Sequence, residues 1–394
     1  MSKINVTCRQ CGKKFRALEE ELRGVNCPEC NGELVAEGAP AAAPVPAAAA
    51  AAPEAPAAPA APAAATADDL KGLEEIRHAH DAILRELDKV IVGQHEVIEE
   101  IVIAILTNGH CLLEGVPGLA KTLLISSLAE AMSLSFKRIQ FTPDLLPSDI
   151  TGTEIIQDDP ETGRRGFKFF PGPIFSNIIL ADEINRTPPK TQAAMLEAMQ
   201  ERHVSIGGVM HKLPFPFFVL ATQNPLEQEG TYPLPEAQQD RFLFKILVDY
   251  PDEAEEKQII RRVTERRFQK IVPVVNGMQI DAMQQLVVRI PVADTVIQYA
   301  TNLVRSTRTG REGSPEFIRK WVAWGCGPRA SIALIAAAKA RAALRGANCA
   351  ACEDVASVAH PIMRHRLAVN YTARAEGITT DAVIDRLLQE VPKY

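Results

Sequence analysis

Eight residues constrain this chain more than any other feature. Gly115-Val-Pro-Gly-Leu-Ala-Lys121-Thr122 follows a short apolar run, Cys111-Leu-Leu-Glu114, and precedes an apolar helical segment, Leu123 to Met132. Strand, glycine-rich turn, Lys-Thr and helix, in that order, form the context of a phosphate-binding P-loop. Gly115 and Gly118 let the backbone turn so that its N–H groups face phosphate oxygens. Val116, Pro117, Leu119 and Ala120 complete the loop, and Leu123 opens the helix whose N-terminus adds positive potential. Lys121 can neutralise β- and γ-phosphates, and the Thr122 hydroxyl can hold Mg²⁺. Ala120 stands where glycine is usual, adding a methyl group to a tight turn. On this motif alone, a chance glycine-rich turn remains the alternative.

Two further apolar runs end in polar residues. Asn177-Ile-Ile-Leu-Ala-Asp182-Glu183 lies about sixty residues beyond the loop. There Asp182 can bind Mg²⁺ through its water shell, and Glu183 can act as general base on the attacking water. Phe217-Phe-Val-Leu-Ala-Thr-Gln-Asn224-Pro225 ends in an amide that can orient a water, although Asn-Pro alone equally initiates a turn. Asn185-Arg186 is expected to open a helix containing Gln192 to Arg202. Apolar runs that stop at polar loops are how buried parallel strands read, with chemistry at their carboxyl ends.

Around this core, composition marks four regions. Residues 1–38 are polar and carry two Cys-x2-Cys pairs. Residues 39–67 are nearly pure Ala and Pro, an extended semi-stiff tether. Residues 68–250 are the α/β core, and residues 251–394 a helical lid. Apolar periodicity predicts a leading helix over 70–90 and lid helices over 253–270, 279–289, 293–307, 315–323, 328–345, 352–366 and 380–390. The tether is apolar, but its prolines prevent a continuous spanning helix, and no other segment is long and apolar enough to span. No signal peptide opens the chain, so a cytoplasmic location is expected, with reduced or metal-bound cysteines. The net charge of −6 argues against a protein that coats nucleic acid.

With these motifs in order, the chain resembles the MoxR family of AAA+ ATPases. Gly115–Thr122, Ile179–Arg186, Ala221–Pro225, Leu234-Pro-Glu-Ala-Gln-Gln-Asp-Arg241-Phe242 and Gly327-Pro-Arg329-Ala carry the likeness, which spans roughly residues 75–390. In that family, alanine before the loop lysine is common. The resemblance implies ATP and Mg²⁺ as ligands and ATP hydrolysis as the activity. Ile91-Val92-Gly93-Gln94 falls near the adenine, Asn224 at sensor 1, Arg241 at the arginine finger offered to a neighbouring subunit and Arg329 at sensor 2. It also implies a ring, expected to be a hexamer, and a chaperone-like remodelling or maturation role with partners carrying von Willebrand factor A domains. Residues 150–173 fit the family's insertion, including Gly163, Arg164, Arg165, Phe167, Phe169 and Phe170, and residues 201–213 a hairpin turning at Gly207-Gly208. The phenylalanines either contact a substrate or pack the insertion onto the core. A nucleic-acid-associated motor is the alternative, kept open by Arg164, Arg165 and Lys168.

Cys8-x2-Cys11 and Cys27-x2-Cys30 have the paired spacing of a tetrahedral Cys₄ zinc ribbon; a redox dithiol is the other reading. Gly12 and Gly32 suit its knuckle turns. A 38-residue segment with few apolar residues needs such a metal to fold. Its six basic residues match six acidic ones, so docking a protein is at least as consistent as binding nucleic acid. Cys349 and Cys352 have no second pair, Cys111 and Cys326 suit core positions, and the run Arg261, Arg262, Arg266, Arg267 and Lys270 suits a solvated helix face.

Overall fold

The computed structural model describes residues 3–8, 11, 13–18, 26–28, 30, 34–36, 67–158, 165–225, 230–265, 269–310 and 314–393. The tether lies outside them except Ala67, as do Gly12, Gly32, Gly163, Arg164, Arg266 and Arg267. The chain divides into two units, residues 1–60 and 61–394.

In the first unit, β1 (Lys3–Cys8) pairs antiparallel with β2 (Lys14–Leu18) on one side and β3 (Leu34–Ala36) on the other. Val6, Cys8 and Cys27 are buried.

The second unit opens with α1 (Ala67–Leu87) and α2 (His95–Leu106). The sheet then takes shape from β4 (Cys111–Glu114), with α3 (Lys121–Ala131), β5 (Phe136–Gln140) and α4 (Pro147–Thr151) following. A hairpin of β6 (Gly152–Asp158) and β7 (Arg165–Pro171) leads to β8 (Ile178–Asp182), a 3₁₀ turn at Ile184–Arg186 and α5 (Pro189–Glu201). A second hairpin, β9 (His203–Ile206) and β10 (Val209–Lys212), precedes β11 (Phe218–Gln223), α6 (Glu236–Gln239) and β12 (Phe244–Leu247). The main sheet has the order β12-β4-β11-β8-β5, and every pair in it is parallel.

The three central strands match the apolar runs because both faces are covered. Side chains alternate between two cores. Ile178, Leu180, Leu220 and Ile246 point toward α1, α2, α3 and the lid; Ile179, Ala181, Val219 and Ala221 point toward α5. β5 and β12 form the edges, and neither stands out as an apolar run. β5 reads Phe-Lys-Arg-Ile-Gln and leaves Lys137 and Arg138 exposed.

The helical part that follows comprises α7 (Glu253–Thr264), α8 (Gly277–Arg289), α9 (Asp294–Ser306), α10 (Glu316–Trp321), β13 (Val322–Trp324) and α11 (Pro328–Leu344). It continues with α12 (Cys352–Ser357), α13 (Ala359–Met363), β14 (Ala368–Val369), α14 (Tyr371–Ala375) and α15 (Thr380–Glu390). Three details depart from the expected pattern. A small antiparallel β13–β14 pair interrupts the helices. The helix expected over 352–366 breaks into two short ones. The helix expected from Asn185 begins only at Pro189, because Pro188 and Pro189 disfavour helical geometry before them. Alanines of α11, among them Ala333, Ala337 and Ala340, are buried, and their small side chains let α11 approach α1, α2 and α8 closely. No helix among the described residues is long and apolar enough to cross a membrane.

Candidate nucleotide-binding site

Parallel strands deliver their carboxyl ends to one edge of the sheet, and the loop after β4 lies beside the point where strand order reverses, between β12 and β11. A cavity of about 450 Å³ opens there. Gly115, Pro117, Gly118, Leu119, Ala120, Lys121, Thr122 and Leu123 line one wall, and Asp182, Glu183 and Asn224 line the other. An adjoining apolar slot of about 200 Å³ shares Gly118, Leu119, Ala120 and Leu123. Ile91, Val92 and Gln94 close it from before α2, and Ile259, Arg262 and Val263 from α7. Val116 packs at the margin of the core, and Gly93 sits between two slot residues at φ +67°. A charged, polar cavity beside an apolar slot fits a phosphate chain attached to a planar base.

The backbone is bent to make this site. Six non-glycine residues among those described have left-handed φ, and three of them, Gln94, Ala120 and Glu183, line the two cavities. Such a conformation costs roughly 1–2 kcal/mol per L-residue, and strain of this kind gathers at functional sites. Ala120, at φ 54°, takes it at the start of α3. Gly115 has no alternative: a Cβ there would lie 2.6 Å from the carbonyl oxygen of Val248.

The chemistry-bearing side chains already have partners. Lys121 Nζ donates to the Gly115 carbonyl. Burial draws its ammonium below the usual lysine range, while Asp182, Glu114 and Glu183 oppose the shift. Thr222 Oγ1 donates to Asp182 Oδ1 at 2.6 Å and accepts from the Glu183 N–H at 2.8 Å, fixing the Asp-Glu turn through one hydroxyl. Arg138 Nη2 reaches Asp182 Oδ2 at 2.6 Å. Gln140 Nε2 donates to Glu183 Oε2 at 2.7 Å, and Arg186 Nε stands 3.2 Å from the same oxygen. Thr122 and Asp182 offer hard oxygen donors of the kind Mg²⁺ takes.

Arg241 and Arg329 line neither cavity. Arg241, just beyond α6, has no side-chain hydrogen bond or ion pair among the described residues. Arg329, at the start of α11, pairs through Nη1 with Asp240 Oδ2 at 3.2 Å, beside Arg241. Arg329 thus pairs with the residue that precedes Arg241 in the chain, and neither arginine lines the chain's own cavities.

The hairpins divide the three phenylalanines. Phe169 stacks on His211 of the second hairpin at 4.1 Å and meets Phe175 edge-on at 5.5 Å. Phe167 and Phe170 remain exposed on the first hairpin, as does Ile156 opposite Phe167. Gly207 and Gly208, at φ 56° and 82°, make the tight β9–β10 turn that only positive φ permits.

In the first unit, the Sγ atoms of Cys8, Cys11, Cys27 and Cys30 all lie within 4.8 Å of one another. The Cys8–Cys30 and Cys11–Cys27 sulfurs are 3.4 and 3.7 Å apart. A tetrahedral Zn–S set at ~2.3 Å places its sulfurs about 3.8 Å apart, so the cluster fits zinc. Both Cys111 and Cys326 are core residues, whereas Cys349 is exposed and Cys352 buried.

Residues 110–244 match the family model described as the ATPase family associated with various cellular activities, and residues 318–387 match an AAA lid domain. The chain is 44% identical to the protein named Chaperone MoxR1 of Mycobacterium tuberculosis, over 82% of this chain and 84% of that one. The chain belongs to the MoxR family of AAA+ ATPases. It is also 40% identical to the uncharacterized protein YeaC of Bacillus subtilis, over 78% of this chain and 92% of that one. A crystal structure of an ATPase candidate from Cytophaga hutchinsonii superposes with a TM-score of 0.76 at 42% identity, covering 82% of this chain and 97% of that one.

This MoxR-family chain thus has the ATPase architecture, and a chaperone is among its relatives. Several residues at its site were given no role by the motifs. Arg138 and Gln140 come from the unrecognised edge strand β5, and Thr222 lies two residues before Asn224. Arg262 is not a solvated helix residue. Its Nη1 donates to the carbonyls of Asp88 at 2.7 Å and Ile91 at 3.1 Å, closing the apolar slot.

Proposed function

We infer that this chain binds ATP with Mg²⁺ in the paired cavities and hydrolyses it at interfaces of a ring. The observation that carries the reading is the convergence of Lys121, Thr122, Asp182, Glu183 and Asn224 on one cavity beside an apolar slot. Val92, Gly93 and the slot hold the base. The loop from Gly115 to Leu123 cradles the phosphates, with Lys121 as counter-charge. Thr122 and Asp182 would hold Mg²⁺, which when bound would supply counter-charge to the phosphates. Asn224 orients a water. Its oxygen attacks the γ-phosphorus, its proton passes to Glu183, and the bond to the bridging oxygen breaks to release ADP and phosphate. Glu183 must first turn from Gln140 and Arg186.

Arg329 pairs with Asp240, next to Arg241 in the chain, and neither arginine lines the chain's own cavity, which supports both acting on a neighbour's ATP. Guanidinium groups supplied in trans stabilise the charge spread over the γ-phosphate oxygens. A hexameric ring, a core over residues 68–250, a lid over 251–394, and a ribbon carrying one zinc per chain complete the reading. The task best supported is chaperone-like remodelling or maturation of protein clients, with von Willebrand factor A domain proteins as partners. The exposed Phe167 and Phe170 supply an apolar surface suited to a protein chain. A nucleic-acid motor draws less support, since the net charge of the chain is −6. Capture with a Glu183→Gln trap tests the assignment. Stable ATP-dependent recovery of a protein client supports it, and recovery of nucleic acid alone would replace it with the motor.

A further inference from the structure

One buried arginine has no part in the site as described. Arg366 follows α13, and only 8% of its surface is exposed. Each of its five N–H donors finds an acceptor. Nε donates to Asp240 Oδ1 at 2.8 Å. Nη1 donates to the carbonyls of Leu243 at 3.0 Å and Ile362 at 2.6 Å. Nη2 donates to the carbonyls of Phe242 at 2.6 Å and Asp240 at 3.3 Å. Three of those four carbonyls belong to the segment that carries Arg241, which is itself left out of the network. The neighbouring His365 adds a contact from Nε2 to the Phe242 carbonyl at 3.1 Å.

Asp240 completes a chain of charges. One carboxylate oxygen faces Arg366 and the other faces Arg329, whose side chain is 60% exposed. A planar five-donor fork can hold a backbone segment at several points, whereas a lysine ammonium acts as a point charge. A carboxylate clamped on one side orients the guanidinium on its other side.

We propose that Arg366 and Asp240 are positioning residues that splint the Arg241 segment to the lid and aim Arg329, so that both arginines meet the neighbour's ATP as one rigid unit. This rests on the shared-site reading above. Movement of the lid, which carries Arg329 and Arg366, then shifts the finger by the same amount. A subunit that closes on its own nucleotide thereby alters what it offers next door.

The test uses the full chain in mixed rings. Asp240→Asn keeps the shape and removes the charge. It should bind a fluorescent ATP analogue as wild type does and turn over ATP about tenfold or more slowly, the worth of a charged hydrogen bond. Asp240→Glu should recover part of that loss. Arg329→Lys, an exposed change, gives a second variant should Asp240→Asn fold poorly.

Mixing decides where the defect lies. Asp240→Asn with Lys121→Ala should regain turnover, because the intact arginines of one chain meet the intact phosphate loop of the other. Asp240→Asn with Arg241→Ala should gain nothing, since both are defective donors. Recovery in that second mixture, or wild-type turnover by Asp240→Asn and Arg329→Lys alone, overturns the proposal and leaves the shared site intact. No recovery when Arg241→Ala is mixed with Lys121→Ala overturns the shared-site reading and this proposal with it.

Discussion

The phosphate-loop side and the arginine side of this chain are built in opposite ways. On the first, the sheet's carboxyl ends bring Lys121, Asp182, Glu183 and Asn224 together through strands that pair directly. Their geometry is a property of the sheet. On the second, Arg241 and Arg329 come from segments far apart in sequence, joined by ion pairs through Asp240 and Arg366. Each side also buries a neutral histidine. His110 accepts from the Val219 N–H at Nδ1, so its Nε2–H donates to the Met199 carbonyl. His365 holds the Phe242 carbonyl beside Arg366. The difference teaches that the phosphate-loop pocket is set by backbone pairing, whereas the placement of Arg329 against Asp240 depends on side-chain ion pairs and on where the lid rests.

The sharpest way to break this contrast is to disable one side at a time. Arg241→Ala should lower turnover by ~10³-fold or more while ATP affinity is retained. Lys121→Ala should lose affinity itself, because a cation–phosphate contact disappears. Equal losses of affinity in equilibrium nucleotide titrations would show that the two sides are not separate.

Within the phosphate-loop side, Glu183→Gln should cost roughly 10²–10⁴ in turnover, since an amide cannot accept the proton. Nucleotide should remain bound. Single-turnover kinetics with pre-bound ATP measure the chemical step, and a rate near wild type would remove Glu183 from its role.

Acid stability probes the floor beneath both sides. Burial pushes the His110 pKa from 6.5 down to about 4, and that of His365 well below 6.5. The unfolded chain therefore binds protons that the folded chain refuses. The contribution of His110 is fully present above pH 6.5 and is lost as pH falls toward 4. Its size is about 3 kcal/mol. Urea unfolding at stepped pH should show a shallower acid limb for His110→Gln, and parallel limbs would refute the linkage.

The smallest effect is expected at the slot. Arg262→Ala removes two contacts to backbone carbonyls and should weaken ATP binding about tenfold without changing turnover at saturation. A fall in saturated turnover instead would place Arg262 in the chemistry.

Much of this was legible beforehand, for reasons that differ by element. The central strands announced themselves because burial on both faces demands unbroken apolar runs. The edge strand β5 did not, because one side meets solvent and its sequence is mixed; Arg138 and Gln140 were missed with it. The lid helices emerged from their apolar periodicity. The β13–β14 pair, with three and two residues, is too short to leave a period. Of the three phenylalanines, composition alone could not say that Phe169 stacks while Phe167 and Phe170 stay exposed, since that depends on the second hairpin lying alongside.

By itself, the sequence determined the chemistry of the phosphate loop, the Asp182-Glu183 pair, the Cys₄ spacing and the family. Each is written in residues close along the chain, where local backbone geometry leaves few alternatives. Tertiary structure alone decided that Arg329 pairs with Asp240, next to Arg241 in the chain, and that Arg366 pairs with the other oxygen of the same carboxylate. Those ion pairs join residues 89 and 126 positions apart. No local pattern encodes such a contact, because it exists only once α13 has packed on β12 and α11 on α13.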